Sequence, residues 1–341
     1  MTQKLCQFAG SSAGRRRAVF LALLCGWAAC VGGPSTVHAS PGLSASVIAL
    51  PLVPGPAEHP GLEQLETRFI QVHPALVDPT KPVKSKNHDR AVLLIHGYWL
   101  QLSKDKVGKA KFKDWQAAGS HLVSALAQES DVFAFAYGQC VGIEEIAQHP
   151  SLAAAVAQLK KLGYKDIVLV GHSAGGLVAR YFVEDFPKSG VTKVVQVCTP
   201  NGGCTYAEIK WTPRIQRPFL NSLTKAGREQ CLRERAGKKI PAGVQFVCIV
   251  TLEDALVPCS CQWTEDLQDQ GVPVVRLPVG HRLSVRKASE VKKIAQVVRG
   301  DYPRWDAEAV AAARKLLFKP KKPHLASPLP SLRRGTHGSA P

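Results

Sequence analysis

Six short apolar runs between residues 90 and 280 constrain the fold more than any other feature of this sequence. The first three runs are continuous, as expected for a β-strand that is buried on both faces of a sheet, and the other three are mainly apolar. The runs are Ala91–Ile95, Val132–Tyr137, Ile167–Val170, Val194–Val197, Val244–Val250 and Val272–Leu277. The sequence therefore predicts six buried strands.

Longer stretches with helical spacing lie between these runs and after the last one. The helix candidates are Trp115–Gln128, Ile143–Leu162, Leu177–Asp185 and Ala288–Val298. Strands that alternate with helices predict an α/β fold, with a mainly parallel, doubly wound sheet and helices on both faces. In such sheets reactive groups collect outside the carboxyl ends of the strands, so the residues that follow each run are candidates for a functional site.

The first 39 residues have the features of a secretory signal peptide. Residues 1–17 carry four basic residues and no acid, residues 18–31 are apolar, and Val37-His38-Ala39 suits a signal peptidase. The apolar run is short for a membrane span, so we expect cleavage and export to the periplasm or the medium. Two alternatives are an uncleaved anchor and a lipoprotein acylated at Cys30.

The rest of the chain divides into three parts. Residues 40–87 are expected to be a linker and N-terminal segment, and residues 88–318 an α/β domain of ordinary size. Within that domain, residues 201–241 carry no clear apolar run and are predicted to form a short basic cap or lid over the end of the sheet. Residues 319–341 are rich in proline and basic residues, hold no acid, and are predicted to be a disordered tail.

The chain is strongly basic, with 44 Lys and Arg residues against 26 Asp and Glu and a formal net charge of +18. Such an excess favours contact with an anionic surface, for example a membrane, a cell-wall polymer or an acidic substrate. The alternative is that the basic residues are simply solvated surface. Nucleic acid is not expected as a partner, because the sequence holds no nucleic-acid-binding motif and an exported protein rarely meets nucleic acid.

Seven cysteines follow the predicted signal peptide. They are Cys140, Cys198, Cys204, Cys231, Cys248, Cys259 and Cys261. In an oxidising compartment some of them should pair, so we expect disulfides around the loops, with Cys204 and Cys231 closing the cap. Cys248 lies inside an apolar run and is expected to be a buried small hydrophobe. A zinc site formed by Cys259-Ser260-Cys261 with Cys204 and Cys231 is disfavoured because the C-x2-C spacing and a following histidine pair are missing, and no metal is predicted.

A serine flanked by glycines follows the third apolar run. In Gly171-His172-Ser173-Ala174-Gly175, the serine comes between a predicted strand and a predicted helix. A tight turn there forces the serine into a strained conformation and exposes its hydroxyl. Gly171 and Gly175 are needed because side chains at these positions would collide with the neighbouring strand and helix. The pattern predicts Ser173 as a nucleophile, and the alternative is an ordinary serine in a strand-to-helix turn.

A serine hydroxyl needs a base and an acid that orients the base, in the chain order Ser, then Asp or Glu, then His. Outside the predicted tail, His281 is the only histidine after Ser173, and it follows the sixth apolar run. Glu253 and Asp254 both follow the fifth run. Asp254 is favoured because the sequence Ala-Leu-Val-Pro puts a turn after it. The sequence predicts a Ser173, Asp254, His281 triad, with Glu253 as the alternative acid.

A developing oxyanion also needs hydrogen-bond donors. The backbone N–H of Ala174, at the start of the predicted helix, is one candidate, because the helix dipole favours negative charge there. The backbone N–H of Tyr98 is the other, since Gly97 after the first run lets the chain turn toward the same point. The alternative for His96-Gly97 is a simple turn that ends a strand.

Several segments together resemble the α/β-hydrolase superfamily, in particular its bacterial lipases and esterases. They are His96-Gly97-Tyr98, Gly171–Arg180, Thr199–Gly203, Asp254–Pro258 and Gly280-His281. The resemblance spans roughly residues 88–300. It implies an α/β-hydrolase sheet, a Ser-Asp-His triad, an acyl-enzyme intermediate, small-molecule or lipid esters as substrates, and no cofactor.

The chain departs from that group at two positions. Lipases commonly have methionine after the serine, where this chain has Ala174, and a histidine after Thr-Pro, where it has Asn201. The resemblance therefore implies ester hydrolysis more firmly than action on long-chain, insoluble fats. Two alternatives to ester hydrolysis are a catalytically inactive protein that binds an anionic surface, and an acyltransferase that uses the same triad.

Overall fold

A seven-stranded sheet forms the centre of the structure, a computed structural model in which residues 62–76, 78, 81–101, 104–208 and 214–318 are described. The predicted signal peptide, Cys30, the linker up to residue 61 and the predicted tail lie outside the described residues. Within them, no helix is both long enough and apolar enough to cross a membrane.

All six predicted strands are present, and one further strand precedes them. The strands are Thr67–His73 (β1), Arg90–Ile95 (β2), Asp131–Tyr137 (β3), Asp166–His172 (β4), Lys193–Val197 (β5), Gln245–Thr251 (β6) and Val274–Leu277 (β7). Their order in the sheet is β1-β3-β2-β4-β5-β6-β7. Only β1 runs antiparallel, on β3, and every other neighbouring pair is parallel. The predicted mainly parallel α/β fold is confirmed.

Helices connect the strands. The α-helices are Lys104–Val107 (α1), His121–Leu126 (α2), Ile143–Gln148 (α3), Pro150–Lys161 (α4), Ala174–Asp185 (α5), Arg217–Asn221 (α6), Lys225–Glu234 (α7), Cys259–Gln262 (α8), Glu265–Asp269 (α9), Ala288–Arg299 (α10) and Ala307–Leu317 (α11). Short 3₁₀ helices are Leu62–Gln64, Asp114–Gln116, Thr205–Glu208, Arg214–Gln216 and Leu283–Val285.

Two of the predicted helices are each divided in the structure. The stretch 115–128 forms a 3₁₀ turn and then α2, with Gly119 at φ +80° between them. The stretch 143–162 forms α3 and α4, which meet at His149 and Pro150. Proline lacks the N–H that a continuing helix would need, but it suits the first turn of a new one.

Both faces of the sheet are buried. Alternate residues of β2 point to opposite sides: Leu93 and Ile95 pack in the layer that includes α3, α4 and α5, whereas Val92 and Leu94 pack in the layer that includes α2 and α10. A strand between two such layers is mainly apolar, which explains the apolar runs, although β5 also buries Gln196 and β7 exposes Arg276. Because β2, β4, β5, β6 and β7 are parallel, their carboxyl ends meet at one edge of the sheet.

Residues 201–241, where a cap or lid is predicted, contain two 3₁₀ turns, α6 and α7. Phe219, Leu220 and Leu223 are buried in the core layer that holds α5. Arg228 is 1 % exposed, and its Nε donates to the carbonyl oxygen of Asn201 over 3.0 Å. This segment is therefore anchored both by apolar side chains and by a buried guanidinium.

The cysteines of the described part of the chain form no disulfide. The Sγ atom of Cys204 lies 3.4 Å from the carbonyl oxygen of Leu223, whereas Cys231 lies 3.0 Å from the Glu144 carboxylate. These two thiols have separate surroundings, so the expected cap disulfide is absent from the structure. Cys248 is 2 % exposed, as the apolar run around it predicts.

Candidate active site

Ser173 lies on the tight turn between β4 and α5, at the carboxyl end of a central strand. Its backbone has φ 55° and ψ −129°, a conformation that residues other than glycine rarely adopt. The amide of Ser173 donates to the carbonyl oxygen of Val197 in the adjacent strand over 2.8 Å. The turn is thus held in a strained shape by its neighbours, as the glycine-flanked pattern predicts for a nucleophile.

The glycines around Ser173 leave no room for larger residues. A Cβ atom on Gly171 would overlap the backbone of Gly175 and Gly176, and one on Gly175 would overlap the carbonyl oxygens of Ile95 and His96. β4, the start of α5 and the end of β2 therefore approach one another at backbone distance. This close approach brings the loop after β2 next to Ser173.

His281 and Asp254 come together on the same edge of the sheet. Asp254 follows β6 and His281 follows β7. Nδ1 of His281 lies 2.7 Å from Oδ2 of Asp254. The ring of His281 lies 5.0 Å, centre to centre, from the ring of His172, the residue before Ser173. The structure thus brings the predicted base and acid into contact and places both beside the serine turn.

The carboxylate of Asp254 is fully surrounded by donors. Thr251 donates its hydroxyl to Oδ2 over 2.8 Å, and the amides of Leu256 and Val257 each donate to Oδ1 over 2.9 Å. The side chain has no exposed surface. The neighbouring Glu253, the alternative acid, is exposed. Its backbone, rather than its carboxylate, contacts the loop of His281, because its amide donates to Val279 O.

Hydrogen bonds and charge shift the pKa values of this group. Burial raises the pKa of the Asp254 carboxyl, but the hydrogen bonds from His281, Val257 and Thr251 outweigh it and hold the pKa below its usual value. Burial lowers the pKa of the His281 imidazole, but the negative charge on the Cys198 sulfur and on Asp254, together with their hydrogen bonds to the ring, outweighs burial and raises the pKa. Asp254 is therefore an anion at neutral pH and stabilises a proton on His281.

The loop that carries one predicted oxyanion donor, Tyr98, lies against the turn that carries the other, Ala174. The loop of Gly97 and Tyr98 packs on the serine turn so closely that a Cβ atom on Gly97 would lie 2.5 Å from Ser173 Cβ and 3.1 Å from the Ala174 nitrogen. Among the described residues, neither the Tyr98 amide nor the Ala174 amide has an acceptor within hydrogen-bonding distance. Both N–H groups thus keep their hydrogen-bonding capacity beside Ser173.

A buried network holds the loop of residues 96–99 in place. Tyr137 donates its hydroxyl to the carbonyl oxygen of His96 over 2.6 Å, and Gln139 donates its amide to that of Gly97 over 3.2 Å. Gln216 donates to the carbonyl oxygen of Trp99 over 2.8 Å and to Gln139 Oε1 over 2.7 Å. Glutamines at such positions form no pattern in the sequence, and these supports were not predicted.

Tyr206 is a further residue that the sequence did not identify. Its hydroxyl lies within hydrogen-bonding reach of the Ser173 side chain, and its ring centre lies 5.5 Å from that of Tyr98. The ring centre of Phe219 lies 6.2 Å from that of Tyr98. Both aromatic rings come from residues 201–241. The segment predicted to be a cap thus contributes an aromatic wall beside the serine.

Comparison with solved structures agrees with the fold. The lipase BlEst2 of Bacillus licheniformis in its propeptide form is 10% identical to this chain, with a TM-score of 0.50, and the match covers 66% of this chain and 54% of that one. Its mature form is 11% identical, with a TM-score of 0.49 and coverage of 64% and 95%. The Rhodococcus esterase RhEst1 is 14% identical, with a TM-score of 0.44 and coverage of 70% and 96%. At this identity the BlEst2 match with the higher score supports a shared fold and nothing finer.

The sequence itself identifies the family. No curated protein matches it significantly. The model of the alpha/beta hydrolase family matches residues 92–291, which is more than half of the 341-residue chain. This range includes Ser173, Asp254 and His281, and it includes most of β2 and all of β3 to β7. The chain belongs to the alpha/beta hydrolase family.

Proposed function

We propose that this protein is a serine hydrolase that cleaves carboxylic esters through Ser173, His281 and Asp254. The observation that carries the proposal is the 2.7 Å contact between His281 Nδ1 and the buried Asp254 carboxylate, beside a serine in a strained strand-to-helix turn. This combination of a nucleophile, an oriented base and a buried acid is what covalent acyl transfer requires.

In the proposed acylation step, Ser173 Oγ attacks the carbonyl carbon of the ester while Nε2 of His281 accepts the hydroxyl proton. Asp254 keeps the proton of Nδ1 on the far side of the ring and stabilises the imidazolium that forms. The amides of Tyr98 and Ala174 donate to the oxyanion of the tetrahedral intermediate. His281 then gives its proton to the departing alcohol oxygen, and the acyl group stays on Ser173.

Deacylation uses the same groups in reverse. A water molecule gives a proton to His281 Nε2 as its oxygen attacks the acyl carbon, and the same two amides hold the second oxyanion. Collapse of this intermediate returns the proton to Ser173 Oγ and releases the carboxylic acid. No group other than the ester and water is consumed.

The surroundings favour an ester with an apolar part. Tyr98, Tyr206 and Phe219 form an aromatic cluster on one side of Ser173. Apolar parts of a ligand bind favourably against aromatic side chains, because this contact removes apolar surface from water. We therefore propose small-molecule or lipid esters as substrates.

Hydrolysis of p-nitrophenyl esters with acyl chains of increasing length tests the proposal. Ser173→Ala should lower kcat by at least about 10⁴-fold with unchanged thermal unfolding, because the attacking oxygen is removed. A fluorophosphonate probe should label the wild type at Ser173 and leave the variant unlabelled. Folded wild type that neither labels nor hydrolyses any ester of the series would indicate the alternative, a hydrolase fold used only for binding.

Acyl transfer is separated from hydrolysis by its products. In the presence of a small alcohol, a hydrolase releases mainly the free carboxylic acid, because water reaches the acyl-enzyme. An acyltransferase releases mainly the new ester. Measuring both products by chromatography at several alcohol concentrations gives the partition ratio, and dominance of the new ester at millimolar alcohol would replace the hydrolase proposal.

We also propose that the protein is exported after cleavage behind Ala39, because of the basic, apolar and small-residue order of its first 39 residues. Expression of the whole chain in a bacterial host and N-terminal sequencing of the mature protein test this. A mature chain that begins at Ser40 outside the cytoplasm supports the proposal. A chain that begins at Cys30 and carries a lipid would indicate lipoprotein anchoring instead.

A further inference from the structure

A buried group of metal-ligating side chains includes the proposed base. It consists of His172, Cys198 and His281, which we call the His-Cys-His cluster. One ligating atom from each of these residues lies within 4.8 Å of the other two. Among the described residues, no other cluster of three His, Cys, Asp or Glu side chains meets this distance. Their exposed fractions are 7 %, 0 % and 8 %.

Each of the two histidines has one ring nitrogen held by an oxygen atom, and each side chain also hydrogen-bonds to Cys198. In His281, Nδ1 is taken by the Asp254 carboxylate at 2.7 Å. In His172, Nε2 is taken by the backbone oxygen of His281 at 3.1 Å. Histidines that bind metals almost always donate their second ring N–H to a carboxylate or a carbonyl oxygen in this way. The outer contacts of a metal site are therefore already present.

Cys198 completes the cluster from the adjacent strand end. It follows β5 directly, and its φ of 44° turns the chain at that point. Its Sγ atom lies 3.7 Å from both the His281 backbone oxygen and the Ser284 hydroxyl, which are long contacts for a thiol. The sulfur is thus held near the two imidazoles without a short hydrogen bond to these two oxygens.

Two imidazole nitrogens and one sulfur fit Zn²⁺ and do not fit Mg²⁺ or Ca²⁺, which prefer oxygen ligands. Tetrahedral Zn²⁺ with bonds of about 2.0–2.3 Å needs ligand atoms roughly 3.5 Å apart. The side chains must therefore approach by about 1 Å, and a water molecule can take the fourth position.

We propose that His172, Cys198 and His281 bind Zn²⁺ and that the bound ion inhibits the enzyme. Because Nδ1 of His281 faces Asp254, the metal takes Nε2, the same nitrogen that accepts the proton of Ser173 in the proposed reaction. Binding releases the thiol proton of Cys198 to solvent, and the lone pair of Nε2 is no longer available. The inhibitory effect rests on the proposed function, whereas Zn²⁺ binding does not depend on it.

Binding is measured first, in the Ser173→Ala chain, so that catalysis plays no part. Titration with Zn²⁺ against a coloured chelator should give one ion per chain, and Co²⁺ should produce the near-ultraviolet absorption of a sulfur-to-cobalt bond. Adding Cys198→Ser should weaken Zn²⁺ binding by at least about tenfold and abolish this absorption. Cys248→Ser, at another buried cysteine, is the matched control and should change neither. Zn²⁺ binding that survives Cys198→Ser unchanged would overturn the site.

Inhibition is measured next, with Ser173 intact. Zn²⁺ should inhibit ester hydrolysis, a chelator should restore it, Mg²⁺ and Ca²⁺ should have no effect, and Cys198→Ser should raise the inhibitory Zn²⁺ concentration by at least about tenfold. If Cys198→Ser fails to fold, His172→Gln takes its place in both measurements. Zn²⁺ binding without any ester hydrolysis would refute the proposed function and keep the site, whereas ester hydrolysis insensitive to Zn²⁺ would refute the inhibition alone.

Discussion

Asp254 makes four hydrogen-bonding contacts, with His281, Thr251 and two backbone amides. Each contact favours the ionised carboxylate, and together they fix its orientation toward the imidazole. A carboxylate held in this way keeps the proton of His281 on Nδ1 and so leaves Nε2 free to act as a base. This geometry supports the orienting role that we propose for Asp254 and that the exposed Glu253 is not placed to fill.

Asp254→Asn should lower kcat for ester hydrolysis by about 10⁴-fold, because an amide favours the wrong tautomer of His281 and no longer stabilises the imidazolium. Glu253→Gln is the matched control, one residue away and exposed, and should stay within about twofold of the wild type. Steady-state kinetics and thermal unfolding of both variants check this. A large loss in Glu253→Gln with little in Asp254→Asn would exchange the two assignments.

The residues of the site differ in how far sequence could predict them. Glycines mark Ser173, and His281 is the one histidine after it outside the predicted tail, so local pattern and chain order are enough to propose both residues. Tyr206, Gln216 and Cys198 have no such signal. Their places in or near the site depend on how residues 201–241 fold back and on which side of β5 a side chain points. Such long-range packing is not encoded in any short stretch.

The strands also differ in how far the sequence could predict them. β2 to β7 were predicted because most of them are buried on both faces. β1 was missed, since its sequence TRFIQVH mixes apolar and polar residues, as an antiparallel strand at the edge of the sheet does. The helix α11 was missed as well, although Asp306 caps its start by accepting from the Ala309 amide. Element boundaries failed where Gly119 and Pro150 interrupt helical patterns.

The loop of residues 96–99 depends on the 3₁₀ turn at Arg214–Gln216. Gln216→Ala removes the hydrogen bonds to Trp99 and Gln139 and should let the Tyr98 amide move relative to Ser173. We expect kcat to fall by about tenfold or more with little change in KM, because misplacing one oxyanion donor weakens contacts made mainly in the transition state. Gln230→Ala, on the exposed face of α7, is the control and should have no effect. A raised KM at unchanged kcat would instead place Gln216 in substrate binding.

Asp131, the first residue of β3, links three segments of the chain at the amino ends of the parallel strands, opposite the proposed triad. The buried Asp131 carboxylate accepts from the Ser85 amide at 2.7 Å, lies 2.8 Å from His88 Nδ1, and accepts from the Tyr164 hydroxyl. Burial raises the pKa of Asp131, but these hydrogen bonds outweigh it and hold the pKa below its usual value. Asp131 thus ties β3 to the segment before β2 and to the end of the α4 connection.

A carboxyl whose pKa is lowered by folding stabilises the native state above its unfolded-chain pKa of about 3.9, and the contribution is lost as the pH falls through the folded pKa. Asp131→Asn should therefore lower the free energy of unfolding by about 1–3 kcal/mol at pH 7, since a buried acceptor set is left incomplete. The difference from wild type should shrink below pH 4. Asp269→Asn, at an exposed position, is the control. Urea unfolding at pH 7 and pH 3.5 measures both, and a difference that grows toward acid pH would contradict the assignment.

At the scale of the whole molecule, the first 39 residues predict export, and export in turn predicts that some of the cysteines pair. The described part of the chain holds its cysteines as thiols, five of them buried, and the predicted pairing is not seen there. The family and the fold followed from sequence because they rest on the spacing of strands and motifs. The predicted export depends instead on residues 1–39, and N-terminal sequencing of the mature protein tests it.

The last 23 residues should strengthen binding to anionic surfaces. This segment carries five basic residues and no acid, so a chain that ends at Phe318 has a formal net charge of +13 instead of +18. Each basic residue near an anionic membrane contributes about 1 kcal/mol at low salt, and salt screens the attraction. Sedimentation with phosphatidylglycerol vesicles should therefore show at least about tenfold weaker binding for the shortened chain, and added salt should weaken both. Vesicles of neutral phosphatidylcholine are the control and should bind neither chain.

Hydrolysis of a soluble ester should be the same for both chains, because the proposed triad lies within residues 92–291. Equal binding of the two chains to anionic vesicles would contradict the prediction and would show that the basic surface of the folded part is sufficient.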